Sequence, residues 1–334
     1  MTISSASKRI VLVIPVYDDW PSLERLLKSI DDQRGLDGVE FNVLIVNDGS
    51  HMAPSIELLA ERVFKHVGRI RRVNLIGNLG HQRAIAVGLV TAAKEVGTYG
   101  VIIMDSDGED RPEDVPRLIT AAMENPGKIV CARRSKRSDP IGFKVLYLVY
   151  KSLFRVLAGE SIDFGNFCYI PRSALDSVGY SPSLWNHLAA TLVRSRLPLM
   201  RIPTERGRRY TGRSRMNLDT LVAHGLTAIS VYSDIVLVRI IIGVLGIAAM
   251  VTIGLAAVVA IRLFTELATP GWASTVVGSL SIVLLQSVVF ALVSTFVLLS
   301  ARSTKPVIPM IDGPQFIASI ESCDPASAED AIAS

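Results

Sequence analysis

The stretch Val-Ile-Ile-Met-Asp-Ser-Asp at residues 101–107 decides the fold prediction for this chain. Four consecutive apolar residues are typical of a strand that is buried on both faces of a parallel sheet. Two carboxylates, Asp105 and Asp107, follow in the turn with one residue between them. In open α/β sheets, ligands bind just outside the carboxyl ends of the strands. The segment therefore predicts an acidic binding site at the end of a central strand.

The same pattern recurs along the first 135 residues of the chain. Further strands are predicted at residues 10–16, 41–46, 73–76 and 129–132, with helices following residue 19, over 84–93 and from residue 112. Strands that alternate with helices predict βαβ units and a mostly parallel, Rossmann-like α/β sheet. Other polar turns also follow strands, at Asp18-Asp19, Asn47-Asp48 and Asn78. We expect these turns to converge with Asp105 and Asp107 at one edge of the sheet.

Carboxylates in that position fit a hard divalent cation, because Mg²⁺ and Mn²⁺ prefer oxygen ligands and commonly bridge to phosphates. Glu109 could supply a third contact, and the alternative is a solvated acidic turn. Asp48 has two interpretations of equal weight. It either bonds a base or ribose, or it caps the turn that follows it.

Two basic runs stand out, at residues 133–137 and 206–215. Guanidinium groups bind phosphate oxygens in a bidentate manner, so either run could clamp phosphates. The alternative is attraction to anionic lipid headgroups. Gly207 and Gly212 within the second run predict a mobile loop that closes over a ligand.

The C-terminal part contains two uncharged apolar stretches, residues 240–261 and 275–299. Each is long enough to cross a bilayer as a helix, and the alternative is a pair of buried core helices. Arg213, Arg215 and Arg239 precede the first stretch, and Arg302 and Lys305 follow the second. The positive-inside rule therefore predicts that both chain ends are cytoplasmic.

These features predict three regions: a cytoplasmic domain over 1–230, a transmembrane hairpin over 235–301, and a weakly ordered cytoplasmic tail over 302–334. Residues 142–158 carry apolar side chains at helical spacing together with lysine and arginine. That pattern favours an amphipathic helix in the membrane interface over an ordinary helix packed on the sheet.

Composition narrows the function classes. The net charge of +4 argues against a nucleic-acid binder. The three cysteines, Cys131, Cys168 and Cys323, have no zinc-site spacing, and their small odd number fits a reducing compartment.

Taken in order, six motifs resemble glycosyltransferase family 2. They are Val-Ile-Pro-Val-Tyr-Asp-Asp at 13–19, Val-Asn-Asp-Gly-Ser at 46–50, Asn-Leu-Gly-His-Gln-Arg-Ala at 78–84, Met-Asp-Ser-Asp-Gly-Glu-Asp-Arg-Pro-Glu at 104–113, Asp-Phe-Gly-Asn-Phe at 163–167 and Arg-Tyr-Thr-Gly-Arg-Ser-Arg-Met at 209–216. Within that family the chain looks like the membrane-bound polyprenyl-phosphate sugar transferases, such as the dolichol-phosphate mannose synthase and bactoprenol glucosyltransferase types. The resemblance covers residues 8 to 300 and implies a GT-A fold.

The resemblance also implies residue roles. The catalytic residues would be Asp107, Arg209 and Arg215. The metal, Mg²⁺ or Mn²⁺, would be bound by Asp105, Asp107 and Glu109. Donor binding would involve Pro15, Tyr17, Asp19, Asp48, Asp105, Ser106, Gly212 and Ser214. Arg133 and Arg134 would meet the acceptor phosphate. Two departures from the family pattern are Asp18-Asp19, where relatives often carry Asn-Glu, and the segment 184–187, whose role stays open.

The predicted reaction is an inverting transfer of sugar from a UDP- or GDP-linked donor to a polyprenyl phosphate at the membrane. One alternative is a transferase acting on a sugar hydroxyl, which needs a general base, and His187 is the only tempting residue. The other is an inactive membrane scaffold that binds nucleotide. Further expected partners are a second copy of the chain, because relatives form oligomers, and a separate flippase.

Overall fold

In this computed structural model, the described residues are 8–33, 38–60, 67–134, 152, 154–211, 218–265 and 271–323. By internal contacts the chain divides into two compact units. The first combines residues 1–145, 162–231 and 307–334, and the second combines 146–161 with 232–306.

The first unit is built on an eight-stranded mixed sheet with the order β7-β5-β6-β4-β1-β2-β3-β8. Its strands are β1 (Lys8–Val16), β2 (Val39–Asn47), β3 (Val67–Leu75), β4 (Thr98–Ile103), β5 (Ile129–Arg134), β6 (Cys168–Pro171), β7 (Leu199–Thr204) and β8 (Ile317–Cys323). Its helices are α1 (Trp20–Asp31), α2 (Ile56–Ala60), α3 (His81–Ala93), α4 (Val115–Glu124), α5 (Arg172–Gly179), α6 (Leu188–Arg194) and α7 (Leu218–Ser230). Short 3-10 helices lie at Pro112–Asp114 and Pro182–Trp185. The predicted α/β class is confirmed.

The first four strands are parallel, and their order determines where the candidate site lies. β1 pairs with β2 on one side and with β4 on the other, and β2 pairs with β3. The chain therefore builds outward from β1 to β3 and then returns through α3 to add β4 on the opposite side of β1. Such a reversal leaves a crevice at the carboxyl ends of β1 and β4, where open α/β sheets bind ligands.

Alternating side chains of β1 pack into two separate hydrophobic cores, one on each face of the sheet. Ile10, Leu12 and Ile14 pack in the cluster that includes α1 and α4. Val11 and Val13 face the other side and pack in the cluster that includes α3, α5 and α6. Because both faces of β1 are covered by helices, its apolar run is continuous rather than alternating with polar residues.

Three strands were not predicted, and two of them make the sheet mixed. β6 inserts antiparallel between β4 and β5. β7 pairs in parallel with β5 at one edge, and β8 pairs antiparallel with β3 at the other. The third strand was predicted over 73–76 but begins at Val67. The prediction missed the first part because Arg69, Arg71 and Arg72 interrupt its apolar pattern.

The prediction of a weakly ordered tail over 302–334 is wrong for its described part. After a helical turn, α10 (Pro309–Asp312), and a 3-10 helix at Gly313–Phe316, the chain forms β8. Asn74 Nδ2 donates to Glu321 Oε1 at 2.6 Å and to Ser319 Oγ at 3.0 Å, and Arg69 Nε donates to Ser322 Oγ at 3.0 Å. β8 mixes apolar and polar residues, and its pairing with β3 is a long-range contact that a local pattern does not reveal. Residues 324–334 lie outside the described residues.

Replacing Glu321 with glutamine is expected to lower the free energy of unfolding by about 1–3 kcal/mol, because it removes the carboxylate that pairs with a buried guanidinium. The Arg72 side chain is only 8% exposed and contacts Glu321, the carbonyl of Pro54 and the ring of Trp20. Urea unfolding of the full chain in detergent measures the change. The matched control is Glu113→Gln at a surface pair with Arg111, which should change stability by about 0.5 kcal/mol or less. Equal effects of both variants would contradict this account of β8.

The second unit contains two long apolar helices, α8 (Ser233–Phe264) and α9 (Trp272–Ser303). Both predicted spans lie within them. Over their most apolar windows only 11% of α8 and 6% of α9 is buried inside the protein, which argues against a pair of core helices. Both are long and apolar enough to cross a bilayer.

Only part of the predicted interface helix over 142–158 can be compared with the structure, since residues 135–151 and 153 lie outside the described residues. Residues 154–158 are helical. Phe154 packs edge-on against Tyr232 with ring centroids 5.6 Å apart, and Arg239 Nη1 donates to the Val156 carbonyl at 2.7 Å. The interfacial role of this helix stays a prediction.

Candidate functional site

The acidic turn at residues 105–110 follows β4 at the crevice. The Asp105 amide donates to Asp110 Oδ2 at 3.0 Å, and the Glu109 amide donates to Asp107 Oδ1 at 2.8 Å. Gly108 takes a positive φ of 85° that permits the tight reversal. Burial raises the pKa of the Asp107 carboxyl, and the charge of Asp105 raises it further. The turn thus holds two carboxylates close enough to repel each other, which favours a cation between them.

Residues 206–211, which we call the arginine segment, lie directly against this turn. The Gly207 amide donates to the Glu109 carbonyl at 2.9 Å, and the Tyr210 amide donates to the Asp107 carbonyl at 2.9 Å. Arg209 Nη2 lies 2.7 Å from Asp107 Oδ2. The backbone and side chains together place the Arg209 guanidinium on the acidic turn, and its predicted role in binding phosphates stays a prediction.

The close approach depends on two glycines. A Cβ on Gly207 would lie 2.1 Å from the Gly108 carbonyl oxygen, and a Cβ on Gly108 would lie 2.7 Å from the Tyr210 ring. The sequence pattern indicated loop mobility at Gly207. In the structure this glycine instead permits contact between the arginine segment and the acidic turn.

Glu109, predicted as a third metal ligand, is paired with two arginines in this structure, and its role as a ligand stays a prediction. Its carboxylate is engaged by Arg206 Nη2 at 2.6 Å and by Arg209 Nε at 3.1 Å. Across the described residues there is no group of three or more His, Cys, Asp or Glu side chains placed to hold a metal ion. Both arginines are about 100 residues away from Glu109 in sequence, so the spacing of the acidic residues could not reveal them.

The predicted donor residues Pro15, Tyr17, Asp19 and Ser106 lie at the end of β1 or in the turns that follow β1 and β4. Pro15 is paired within β1, Tyr17 is 36% exposed at its end, and Ser106 is buried in the acidic turn. Asp19 Oδ1 accepts a hydrogen bond from Thr211 Oγ1 at 2.9 Å, which ties the strand end to the arginine segment. The Asp18 carboxylate contacts both the backbone amide and the ring of His51. The two adjacent aspartates therefore bind different loops.

Asp48 was predicted either to bind the donor or to cap the turn that follows it. In the structure it caps a different segment, the loop at Leu79 and Gly80. Its Oδ1 accepts from the Leu79 amide at 2.7 Å and its Oδ2 from the Gly80 amide at 3.1 Å. Burial raises the pKa of this carboxyl, and the two amide donors partly oppose that effect. The carboxylate fixes the loop that leads into α3, where Gly80 adopts a positive φ of 92°.

A polar network at the start of α3 was not predicted from the sequence. His81 Nε2 lies 3.2 Å from Asp105 Oδ1 and 3.0 Å from Asn166 Nδ2. Gln82 Nε2 donates to Asn166 Oδ1 at 3.1 Å. Burial acts to lower the pKa of His81, but the neighbouring charges of Asp105, Asp110 and Asp48 outweigh it and raise the pKa. The only sequence signal was the position of His81 and Gln82 within the third motif.

The predicted acceptor residue Arg133 lies at the end of β5 and pairs with Asp163, with Nε 3.0 Å from Oδ2. The side chain of Arg134 and the whole of residues 212–217, including Gly212, Ser214 and Arg215, lie outside the described residues. Their predicted roles therefore stay predictions. His187 caps α6, where its Nδ1 accepts from the Ala190 amide at 3.3 Å. It is only 5% exposed, which disfavours a role as general base.

Several curated relatives of this chain carry the same name. The chain is 29% identical over 158 residues to an undecaprenyl-phosphate 4-deoxy-4-formamido-L-arabinose transferase of Aeromonas hydrophila, covering 47% of each chain. It is 31% identical over 159 residues to the protein of that name in Pectobacterium atrosepticum, again covering 47% of each. For the Edwardsiella ictaluri protein of that name, identity is 26% over 219 residues, covering 63% of this chain and 64% of the relative. The chain thus spans about half the length of most of the curated relatives it matches.

Among solved structures, the chain is similar to glucosyl-3-phosphoglycerate synthase from Mycobacterium tuberculosis in complex with Mn²⁺, UDP-glucose and phosphoglyceric acid. The TM-score is 0.48 at 19% identity, covering 70% of this chain and 80% of that one. The family model for glycosyl transferase family 2 matches residues 11–178, which is half of the chain and includes the acidic turn and the network around His81. This chain therefore belongs to glycosyl transferase family 2.

Proposed function

We propose that this protein is an inverting glycosyltransferase that moves a sugar from a nucleotide-diphosphate sugar to a polyprenyl phosphate at the cytoplasmic face of a membrane. The observation that carries the proposal is the contact between Arg209 and Asp107, which puts a cationic group on an acidic turn at the crevice of a family 2 chain. The names of the relatives, which refer to transfer on undecaprenyl phosphate, support the choice of acceptor.

Asp105 and Asp107 are the residues that we propose hold a divalent ion, Mg²⁺ or Mn²⁺. The pKa of Asp107 is raised by burial and by the charge of Asp105, a repulsion that a cation relieves. When bound, such an ion supplies Lewis-acid neutralisation of charge on a departing diphosphate. Glu109 is left out of this set because two arginines engage it.

The residues of the chain then align the reactants. A phosphate oxygen of the acceptor attacks the anomeric carbon, the bond from that carbon to the donor diphosphate breaks, and the nucleoside diphosphate leaves with the electron pair. The attacking oxygen is already ionised at neutral pH, so no general base is required, which agrees with the capping role of His187. Arg209 offers charge-assisted hydrogen bonds to the diphosphate, and the reaction depends on alignment and charge stabilisation.

The topology of the first unit supports the proposed orientation in the membrane. The segment before α8 and the segment after α9 belong to the same compact unit, and β8 completes the sheet that β1 begins. This connectivity supports a hairpin whose two ends lie on the same side of the membrane that it crosses. Arg239 and Lys305, at these ends, favour the cytoplasmic side under the positive-inside rule.

Replacing Glu109 with glutamine is expected to lower the transfer rate about tenfold while changing the apparent metal affinity by less than about twofold. The variant loses the charge that holds Arg206 and Arg209 in place but leaves Asp105 and Asp107 intact, and hydrogen bonds to charged groups contribute about 1.5–3 kcal/mol. Titration of Mn²⁺ against transfer measures both quantities. A large rise in the metal concentration required would contradict this account and restore Glu109 as a ligand.

A further inference from the structure

We propose that Arg201 and Arg133, joined by Asp163, form the binding site for the phosphate monoester of the acceptor. The inference rests on the proposed function and deepens it, because it adds Arg201 and Asp163 to a site for which the sequence indicated only Arg133 and Arg134. Asp163 Oδ1 lies 2.8 Å from Arg201 Nε, and its Oδ2 lies 3.0 Å from Arg133 Nε. One carboxylate thus spaces two guanidinium groups.

The arrangement leaves positive charge available. Two guanidinium groups against one carboxylate give the cluster a net charge of about +1. Each arginine has its Nε toward Asp163, and among the described residues Asp163 is the only carboxylate that pairs with either arginine. The side chains of Arg133 and Arg201 are 59% and 39% exposed, so their outer ends are open to a ligand. Planar guanidinium groups match the oxygens of a phosphate.

The cluster is held rigidly by the sheet and the loop before β6. Arg201 on β7 is in register with Cys131 on β5, two residues before Arg133. The guanidinium of Arg201 also lies 5.5 Å from the centre of the Phe164 ring, which is buried. The amide of Ala132 donates to the Phe167 carbonyl at 2.9 Å and fixes the far end of the loop. A site fixed in this way can orient an anion at low entropic cost.

The same loop connects the cluster to the acidic turn. Asn166, three residues after Asp163, contacts His81 at 3.0 Å, and His81 lies 3.2 Å from Asp105. An anion on Arg133 and Arg201 would therefore lie on the side of the crevice reached through residues 163–167, and the donor diphosphate would lie on the side of Arg209. Two separate cationic sites suit a reaction in which one phosphate attacks while another leaves.

The test compares Arg201→Gln with Arg172→Gln, which removes an exposed arginine paired with Asp176 outside the crevice. We expect the KM for polyprenyl phosphate to rise about tenfold to a hundredfold in Arg201→Gln, as for loss of a charge-assisted hydrogen bond. The KM for the donor should change by less than about twofold, which also reports that the variant is folded. Arg201→Lys, which keeps the charge, should recover part of the loss. An unchanged acceptor KM, or an equal rise for donor and acceptor, would overturn the proposal.

A direct binding measurement separates failure of this site from failure of the proposed function. Calorimetry of the full chain in detergent would use a short isoprenyl phosphate, inorganic phosphate and phosphatidylglycerol as three probes. Binding of either phosphate monoester, weakened in Arg201→Gln, supports the site even if no sugar transfer is found. Equal binding of the monoesters by the variant and the wild type, or binding of phosphatidylglycerol alone, would overturn it.

Discussion

Replacing Asp107 with asparagine is expected to lower sugar transfer by about a thousandfold or more. Asparagine keeps the size of the side chain, and its carbonyl oxygen can still accept the Glu109 amide, which lies 2.8 Å from Oδ1. It removes the negative charge that binds Arg209 and that we assign to the metal. Loss of one preorganised charge contact at a reaction centre costs about a hundredfold to a thousandfold, and loss of a cation adds to that.

The measurement is the rate of sugar transfer with saturating donor and acceptor. Asp176→Asn is the matched control, since this aspartate is 61% exposed and pairs with Arg172 away from the acidic turn. The control should retain the wild-type rate. A rate for Asp107→Asn within about tenfold of the wild type would show that the charge of Asp107 is not needed, and the assignment of this turn as the reaction centre would fail.

Replacing Gly88 with valine is expected to destabilise the first unit by about 3 kcal/mol, the upper end of the usual range for overpacking a core. Gly88 lies in α3 where the helix crosses the sheet. A Cβ at this position would lie 2.5 Å from Val13 Cγ1 and 2.7 Å from Val46 Cγ2. All three positions are buried, so neither the helix nor the strands can move aside without opening the core.

The expected consequence is also functional, because α3 carries His81 toward Asp105. Chemical unfolding of the full chain measures the loss of stability. Gly77→Val is the matched control, since a Cβ at Gly77 meets nothing within 4 Å. That variant should change the free energy of unfolding by about 0.5 kcal/mol or less. If both variants unfold at the same denaturant concentration, the close packing of α3 on β1 and β2 is wrong.

Much of the sheet was predictable because its central strands are buried on both faces. Residues 10–16 and 101–104 are continuous apolar runs, and short runs of this kind followed by polar turns are typical of strands in a parallel sheet. The positions of Asp105 and Asp107 followed from the strand that precedes them. The reversal of strand order between β1 and β4, which creates the crevice, depends on long-range pairing that no local pattern records.

The sequence missed contacts between residues that are distant along the chain. Glu109 was predicted beside Asp107 as a ligand, and its pairing with Arg206 and Arg209, about 100 residues away, was not foreseen. β8 was predicted as part of a weakly ordered tail because its partner β3 is about 250 residues away in sequence. Asp163 was noted only as part of the fifth motif and Arg201 was not noted, since their spacing along the chain carries no signal of the contact between them.

Sugar transfer from a panel of UDP- and GDP-sugars to polyprenyl phosphate, with the full chain in detergent and with Mn²⁺, Mg²⁺ or a chelator present, decides whether the protein is a metal-dependent lipid-phosphate glycosyltransferase. We expect metal-dependent formation of a lipid-linked sugar from one donor, with release of its nucleoside diphosphate. Binding of a donor without transfer to the lipid under any metal condition, together with transfer to a sugar hydroxyl, would contradict it.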